Sequence, residues 1–272
     1  FVYATVIEQL QMSPCDSIID SYFTMPKGKW GIDADWSPKN SDGNYRGTIT
    51  LQKALANSVN TVSAKLIDKV GPQAVVDMAK ELGITSQIPV QPSIALGAVD
   101  ITVEEMVGAM STFANQGVYV KPNFIIKIED KNGVVIDQPT PVTKDVVNKD
   151  VAYAVVKLME GVTQSGTGAR LKWGGGGFIQ YDYSFGNPIA GKTGTSQNNS
   201  DGWFIGMVPN LAAGIWVGNE DRAAHFKSTH MGQGATTALP IWGIFMKKCY
   251  ADSDLDVSKE PFEKPEDLKI KV

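Results

Sequence analysis

Apolar positions recur along the chain at two different periods, and the change of period divides it. Phe1 to Met12 places Phe1, Val2, Val6 and Leu10 at helical spacing, without an N-cap residue ahead of them. Ser13 to Arg46 is rich in Pro, Gly, Asp, Asn and Trp and has little periodicity, which predicts a long functional or covering loop. From Thr50 the pattern is helical again: Leu51, Ala54, Leu55 and Ser58 share one face. Ser58-Val59-Asn60 interrupts it, Thr61 to Val70 continues it, and Gly71-Pro72 ends it. A further helix is predicted over Gln73–Leu82, stopped by Gly83. Thr102-Val103-Glu104-Glu105 is a capping box opening a helix toward Asn115. Lys121–Gln138 reads as a hairpin turning at Asp130-Lys131-Asn132-Gly133. Asp150–Gly161 is helical, and Gly166-Thr167-Gly168 closes that region.

Beyond the loose, glycine-heavy stretch from Gly174 to Gly186 the period shortens. Gly202–Val208 and Leu211–Gly218 are apolar runs joined by Pro209-Asn210, the pattern of an antiparallel hairpin, and Ile189–Ser196 is the strand leading into it. Thr237–Met246 predicts a buried helix with Pro240 near its first turn. From Asp252 the chain is charged and proline-containing, a tail or linker. Helices first, then a terminal antiparallel sheet and a closing helix, give an α+β class.

Composition narrows the function. The 272 residues are 43% hydrophobic and 20% charged, ordinary for one large globular domain or two small ones. The net charge is −4, and no basic cluster is interleaved with aromatics, which argues against a nucleic-acid partner. No apolar run approaches the ~20 residues that span a bilayer. The chain opens Phe1-Val2-Tyr3-Ala4, without a methionine or a signal peptide, so a natural start is expected upstream. Cys15 and Cys249 match no metal spacing and read as two buried free thiols ahead of a long-range disulfide. His225 and His230 lie among polar residues without further ligands at a recognisable spacing, so no metal is expected.

Two motifs compete for Lys192. Gly186-Asn187-Pro188-Ile189-Ala190-Gly191-Lys192-Thr193 satisfies Gly-x-x-x-x-Gly-Lys-Ser/Thr, the phosphate-binding loop of nucleotide hydrolases. That loop requires a helix starting at the lysine, because helix N-terminal N–H groups hold the phosphates. Here the lysine is followed by Gly194-Thr195-Ser196-Gln197-Asn198-Asn199-Ser200-Asp201-Gly202, turn formers and weak helix formers, which leaves nucleotide hydrolysis as an outside alternative. Lys192-Thr193-Gly194-Thr195 on a strand is instead an anion-binding edge, and the bare Gly194 permits close approach of a ligand backbone.

Ser58-x-Asn60 at a helix break and Lys192-Thr193-Gly194 on a strand are each weak signals. In this order they match two of the three motifs of penicillin-binding proteins and serine β-lactamases. The surrounding stretches Thr50–Thr61, Ala95–Thr102, Phe113–Tyr119, Gly202–Gly206, Trp216–Asn219 and Ala238–Trp242 resemble the transpeptidase domain of class A penicillin-binding proteins, a resemblance covering about residues 1–250. The third motif, Ser-x-x-Lys, is absent: every serine lacks a lysine three positions on. In that family Ser-x-x-Lys is typically followed by proline and residues like Phe1-Val2-Tyr3, which places the nucleophile just upstream of Phe1.

The resemblance implies a penicillin-binding-protein/serine β-lactamase-like fold, an antiparallel sheet flanked by helices, missing its first strands and its nucleophile motif. Residues 1–250 would be a partial transpeptidase domain and 251–272 a charged C-terminal tail. It also implies acyl transfer without a cofactor. The partners would be peptidoglycan stem peptides ending in D-Ala-D-Ala and β-lactam antibiotics. The setting would be the outer face of a bacterial cytoplasmic membrane, with anchor and glycosyltransferase module upstream. Ser58 would pass protons between the motif lysine and the leaving amine, and Asn60 would bond the substrate backbone and that lysine. Lys192 would supply positive potential. Thr193 and Thr195 would bind the substrate carboxylate beside Gly194, and the Thr195 N–H would form half of an oxyanion hole. A serine β-lactamase and a penicillin-sensing domain share the fold and remain alternatives. Because side chains alternate along a strand, Lys192 and Thr193 can serve one site only from an edge strand. With the first strands missing, Leu211–Gly218 is expected to pair with Gly202–Val208 alone.

Overall fold

The computed structural model describes residues 1–176 and 179–272; within the glycine-rich stretch, Gly177 and Phe178 lie outside the described residues. In chain order the first elements are α1 (Val2–Leu10), β1 (Ser17–Asp20), β2 (Gly47–Thr50), α2 (Leu51–Ala56), α3 (Asn60–Val70), α4 (Pro72–Glu81) and α5 (Val103–Ala114). Next come β3 (Val118–Val120), β4 (Ile128–Glu129), β5 (Val135–Asp137), β6 (Thr143–Asp145), α6 (Lys149–Ser165), β7 (Gly175–Gly176) and β8 (Ile179–Gln180). The last are β9 (Ala190–Thr195), β10 (Asp201–Val208), β11 (Leu211–Gly218), α7 (Thr229–Gly232) and α8 (Ala238–Ala251). The predicted helix interruption at Ser58, the capping box of α5 and the β4–β5 hairpin are all present.

β9, β10 and β11 form an antiparallel sheet in the order β11-β10-β9. β9 is therefore an edge strand, and among the described residues β11 pairs only with β10. Alternation along β10 divides the interior into two cores. Ile205 and Met207 join a core built from α1, α3, α4, α5 and α6. Phe204 and Val208 face the second core, with Leu171, Leu239, Trp242 and Met246. Trp242 sits edge-on to Phe204 and donates its indole N–H to the Ala213 carbonyl at 3.1 Å, joining α8 to the sheet.

Several expectations are corrected. Ser13–Arg46 is not loop throughout. Its start forms β1, which pairs antiparallel with β2 (Ser17 opposite Thr50). At the end of β1 the buried Asp20 carboxylate accepts from Thr61 Oγ1 at 2.5 Å, Asn40 Nδ2 at 2.8 Å and the Arg46 N–H at 2.9 Å. A buried polar anchor leaves no hydrophobic periodicity to read. The segment after Asp252 is packed on the domain: Phe262 is buried in the helical core, the Lys269 N–H donates to Asp150, and Asn210 bonds the backbone of Asp256 and Ser258. α8 buries only one face, for Ile241, Ile244 and Phe245 are exposed. Both cysteines are free thiols; Cys249 is buried, but Cys15 is only partly so, against the expectation that both are buried. Both histidines are exposed. No helix among the described residues is long and apolar enough to cross a membrane.

Candidate active site

The helix break carries the first polar group. α2 ends at Ala56, the Ser58 N–H bonds back to Leu55 and the Val59 N–H to Ala54, and Asn60 opens α3. Turning the chain this tightly puts Ser58 in the left-handed region at φ 50°. That conformation costs an L-residue about 1–2 kcal/mol, and such strain clusters at functional sites. The strained turn lifts the Ser58 side chain out of the helix repeat toward β9.

β9 carries the second group. The Lys192 ammonium donates to the Ser58 hydroxyl and, at 2.8 Å, to the Thr193 carbonyl. Burial disfavours its charge and lowers its pKa to about 8, so the ammonium still predominates at neutral pH. Because Lys192 occupies one lone pair of Ser58, the serine keeps its own proton to donate elsewhere.

Edge placement resolves the alternation. Lys192 lies opposite Ile205 and shares its face, toward the helical core; Thr193 lies opposite Phe204 and faces the α8 side. The turn following α6 passes from one core to the other beside β9. In it the Thr167 N–H donates to the Ala56 carbonyl at 3.0 Å, and Thr167 Oγ1 lies 2.6 Å from Thr193 Oγ1. Thr195 Oγ1 accepts from the Gly234 N–H at 3.1 Å. Gly194 is bare for a packing reason as well: a Cβ there would lie 3.0 Å from Trp203 Cβ.

Ser58, Lys192, Thr193 and Thr195 thus gather at one strand edge. Asn60 is at the same break, yet its amide Nδ2 donates to the Lys39 carbonyl at 2.8 Å. The adjacent Thr61 N–H donates to Asn40 Oδ1 at 3.2 Å, so Asp20 and Asn40 brace the end of α3 that carries Asn60. Burial alone would raise the Asp20 carboxyl, but hydrogen bonds from Thr61, Asn40 and Arg46 outweigh it and hold it below the usual range. Asp20, Asn40, Thr167 and Gly234 were not legible as site residues. Only the glycines flanking Thr167 hinted at a close approach.

Lys192 sits inside a strand, and the next helical turn, at Gln197–Asn199, is a short 3-10 piece. The phosphate-loop reading of Gly186–Thr193 is therefore wrong: no helix N-terminus exists at Lys192 to hold a phosphate. A cavity of about 260 Å³ reaches Lys192 between Tyr3, Leu55, Met110 and Met159 and is mostly apolar. The larger cavity, about 520 Å³, lies between α5, α6 and the C-terminal segment and contains none of these polar groups.

A family profile described as "Penicillin binding protein transpeptidase domain" matches residues 1–233. Penicillin-binding protein 1A of Aquifex aeolicus is 35% identical over 253 residues, 92% of this chain and 32% of its own. The protein of the same name from Neisseria meningitidis serogroup A is 32% identical over 91% of this chain and 30% of its own. The chain spans about a third of the length of these relatives. Among solved structures, penicillin-binding protein 1A from Haemophilus influenzae superposes with TM-score 0.82 at 22% identity, covering 97% of this chain and 42% of that one. PonA1 from Mycobacterium tuberculosis, also solved in complex with penicillin V, superposes with TM-score 0.78 at 26% identity, covering 97% and 70%. The chain belongs to the penicillin-binding protein transpeptidase domain family, with its α+β fold.

Proposed function

We propose that this domain catalyses D,D-transpeptidation of peptidoglycan stem peptides on the outer face of a bacterial cytoplasmic membrane and is acylated by β-lactams. The observation that carries the reading is the Lys192–Ser58 hydrogen bond at the edge of β9. The family supports the reaction class, and the penicillin V complex of PonA1 supports β-lactams as ligands.

In this reading a serine outside these 272 residues attacks the carbonyl carbon of the D-Ala–D-Ala peptide bond. The C–N bond breaks, the terminal D-alanine leaves as an amine, and the proton it needs comes through Ser58, whose O–H is free to donate. An acceptor amine then attacks the ester, and its proton returns to the serine. Lys192 holds Ser58 and adds positive potential where the substrate carboxylate lies. Thr193 and Thr195 bind that carboxylate, the Thr195 N–H stabilises the oxyanion, and Asn60 Oδ1 receives the substrate backbone or the motif lysine. None of these steps calls for a cofactor.

The test uses the protein encoded by the complete open reading frame that contains this chain. Fluorescent penicillin should label it covalently, at a serine of a Ser-x-x-Lys sequence, and a D-Ala-D-Ala peptide should release D-alanine. Rapid turnover of the penicillin without a lasting adduct would assign a β-lactamase. An adduct without D-alanine release would assign a sensor.

A further inference from the structure

The two hydroxyls proposed to hold the carboxylate are themselves held by one short turn. A hydroxyl has one proton, and it rotates. To offer that proton to an anion it needs a neighbour that donates to its lone pair and fixes the rotor. Thr195 has such a neighbour in the Gly234 N–H. Thr193 has the Thr167 hydroxyl 2.6 Å away, a contact in which either oxygen can donate.

Thr167 is placed rigidly. Its N–H is bonded to the Ala56 carbonyl, two residues before Ser58. Gly166 allows that approach, since a Cβ there would stand 2.1 Å from the same carbonyl oxygen. Three residues beyond Thr167, Arg170 donates to Thr236 Oγ1 at 3.0 Å and to the Ala235 carbonyl at 3.4 Å. Arg170 thereby fixes the segment whose Gly234 N–H reaches Thr195. A single turn after α6 touches the support of both hydroxyls and the end of α2 leading to Ser58.

We infer that the Gly166–Arg170 turn is a positioning element for carboxylate recognition, Thr167 orienting the Thr193 hydroxyl directly and Arg170 orienting Thr195 through Gly234. The inference rests on the acyl-transfer reading above. With a carboxylate bound, Thr193 gives its proton to the anion, so Thr167 must be the donor in their shared contact; in this inference Thr167 and Arg170 act through Thr193 and Thr195.

The test compares two thioester acyl donors, one ending in a free carboxylate and the other in the primary amide, on the protein from the complete reading frame. The wild type should prefer the carboxylate. Thr167→Val keeps the side-chain size and should lower kcat/KM for the carboxylate donor about tenfold, leaving the amide donor within about twofold, as loss of one hydrogen bond implies. Thr167→Ser should restore most of the loss, and Arg170→Met should act in the same direction as Thr167→Val. Equal losses on both donors, or no loss on the carboxylate donor, would overturn the inference while leaving the acyl-transfer reading intact. A wild type that treats the two donors alike would remove the carboxylate grip and sink both. If Thr167→Val melts early, Arg170→Met carries the same comparison with the same deciding outcomes.

Discussion

The Lys192 ammonium donates a hydrogen bond to the Ser58 hydroxyl across 134 residues of chain. One partner sits on a strained helix break, the other on an edge strand, and the contact joins the two motifs into one site.

Removing the cation tests that contact first. In the protein from the complete reading frame, Lys192→Ala should slow β-lactam acylation about 10²-fold or more, the scale of losing one preorganised electrostatic partner at an acyl-transfer site. Stopped-flow or gel-based labelling measures it. Wild-type acylation by the variant would take Lys192 out of the site.

The lowered pKa of Lys192 gives the pH profile a direction. Its ammonium is present below about 8 and is lost as pH rises through that value. Acylation should therefore fall on an alkaline limb near pH 8, and Lys192→Arg should move that limb upward, since a guanidinium keeps its charge. An unchanged limb in the arginine variant would assign it to another group.

The same shift makes a stability claim. The folded pKa of Lys192 lies below the ordinary lysine value of about 10.4, so folding works against the charged form at neutral pH. That penalty is fully present below about 8 and fades as pH approaches the unfolded value. Lys192→Met should raise Tm at pH 7 by about 2–4 °C, the shift that 1 kcal/mol produces in a domain of this size. The gain should shrink at pH 10. A drop in Tm at pH 7 would mean the Ser58 bond outweighs desolvation.

Asp20 carries the opposite sign. Its hydrogen bonds to Thr61, Asn40 and Arg46 hold its folded pKa below the ordinary range, so its contribution is present above about pH 4 and is lost as pH falls through the folded value. Asp20→Ala should destabilise the protein by about 3 kcal/mol at pH 7, and by less in acid, because it strips a buried network of its acceptor. Urea unfolding at the two pH values decides. Equal losses at both would show that the network is held by packing alone.

Phe262 tests the C-terminal segment. It is buried among the helices although the surrounding residues are charged. Phe262→Ala should cost about 3 kcal/mol, the usual range for an emptied aromatic site. A loss below about 0.5 kcal/mol, the scale of a surface change, would return the segment to the status of a loose tail.

Local signals alone determined a good part of this protein. The helical period of Leu51–Ser58, the capping box at Thr102, and the paired apolar runs on either side of Pro209-Asn210 each depend on neighbours a few residues away. The sequence therefore displays them directly. Lys192-Thr193-Gly194 was readable as strand because the residues after it cannot start a helix, and Ser58 as a break because its helix face stops there. Only the tertiary structure decided which distant groups meet. Asp20 sits in a stretch without periodicity and is buried where Thr61, Asn40 and Arg46 converge on it. Thr167 looked like the end of a helix until β9 came to lie beside it. Phe262 lay in a charged segment whose composition argued for solvent. Such placements follow from long-range packing and from hydrogen bonds that satisfy buried polar groups, and neither leaves a period along the chain.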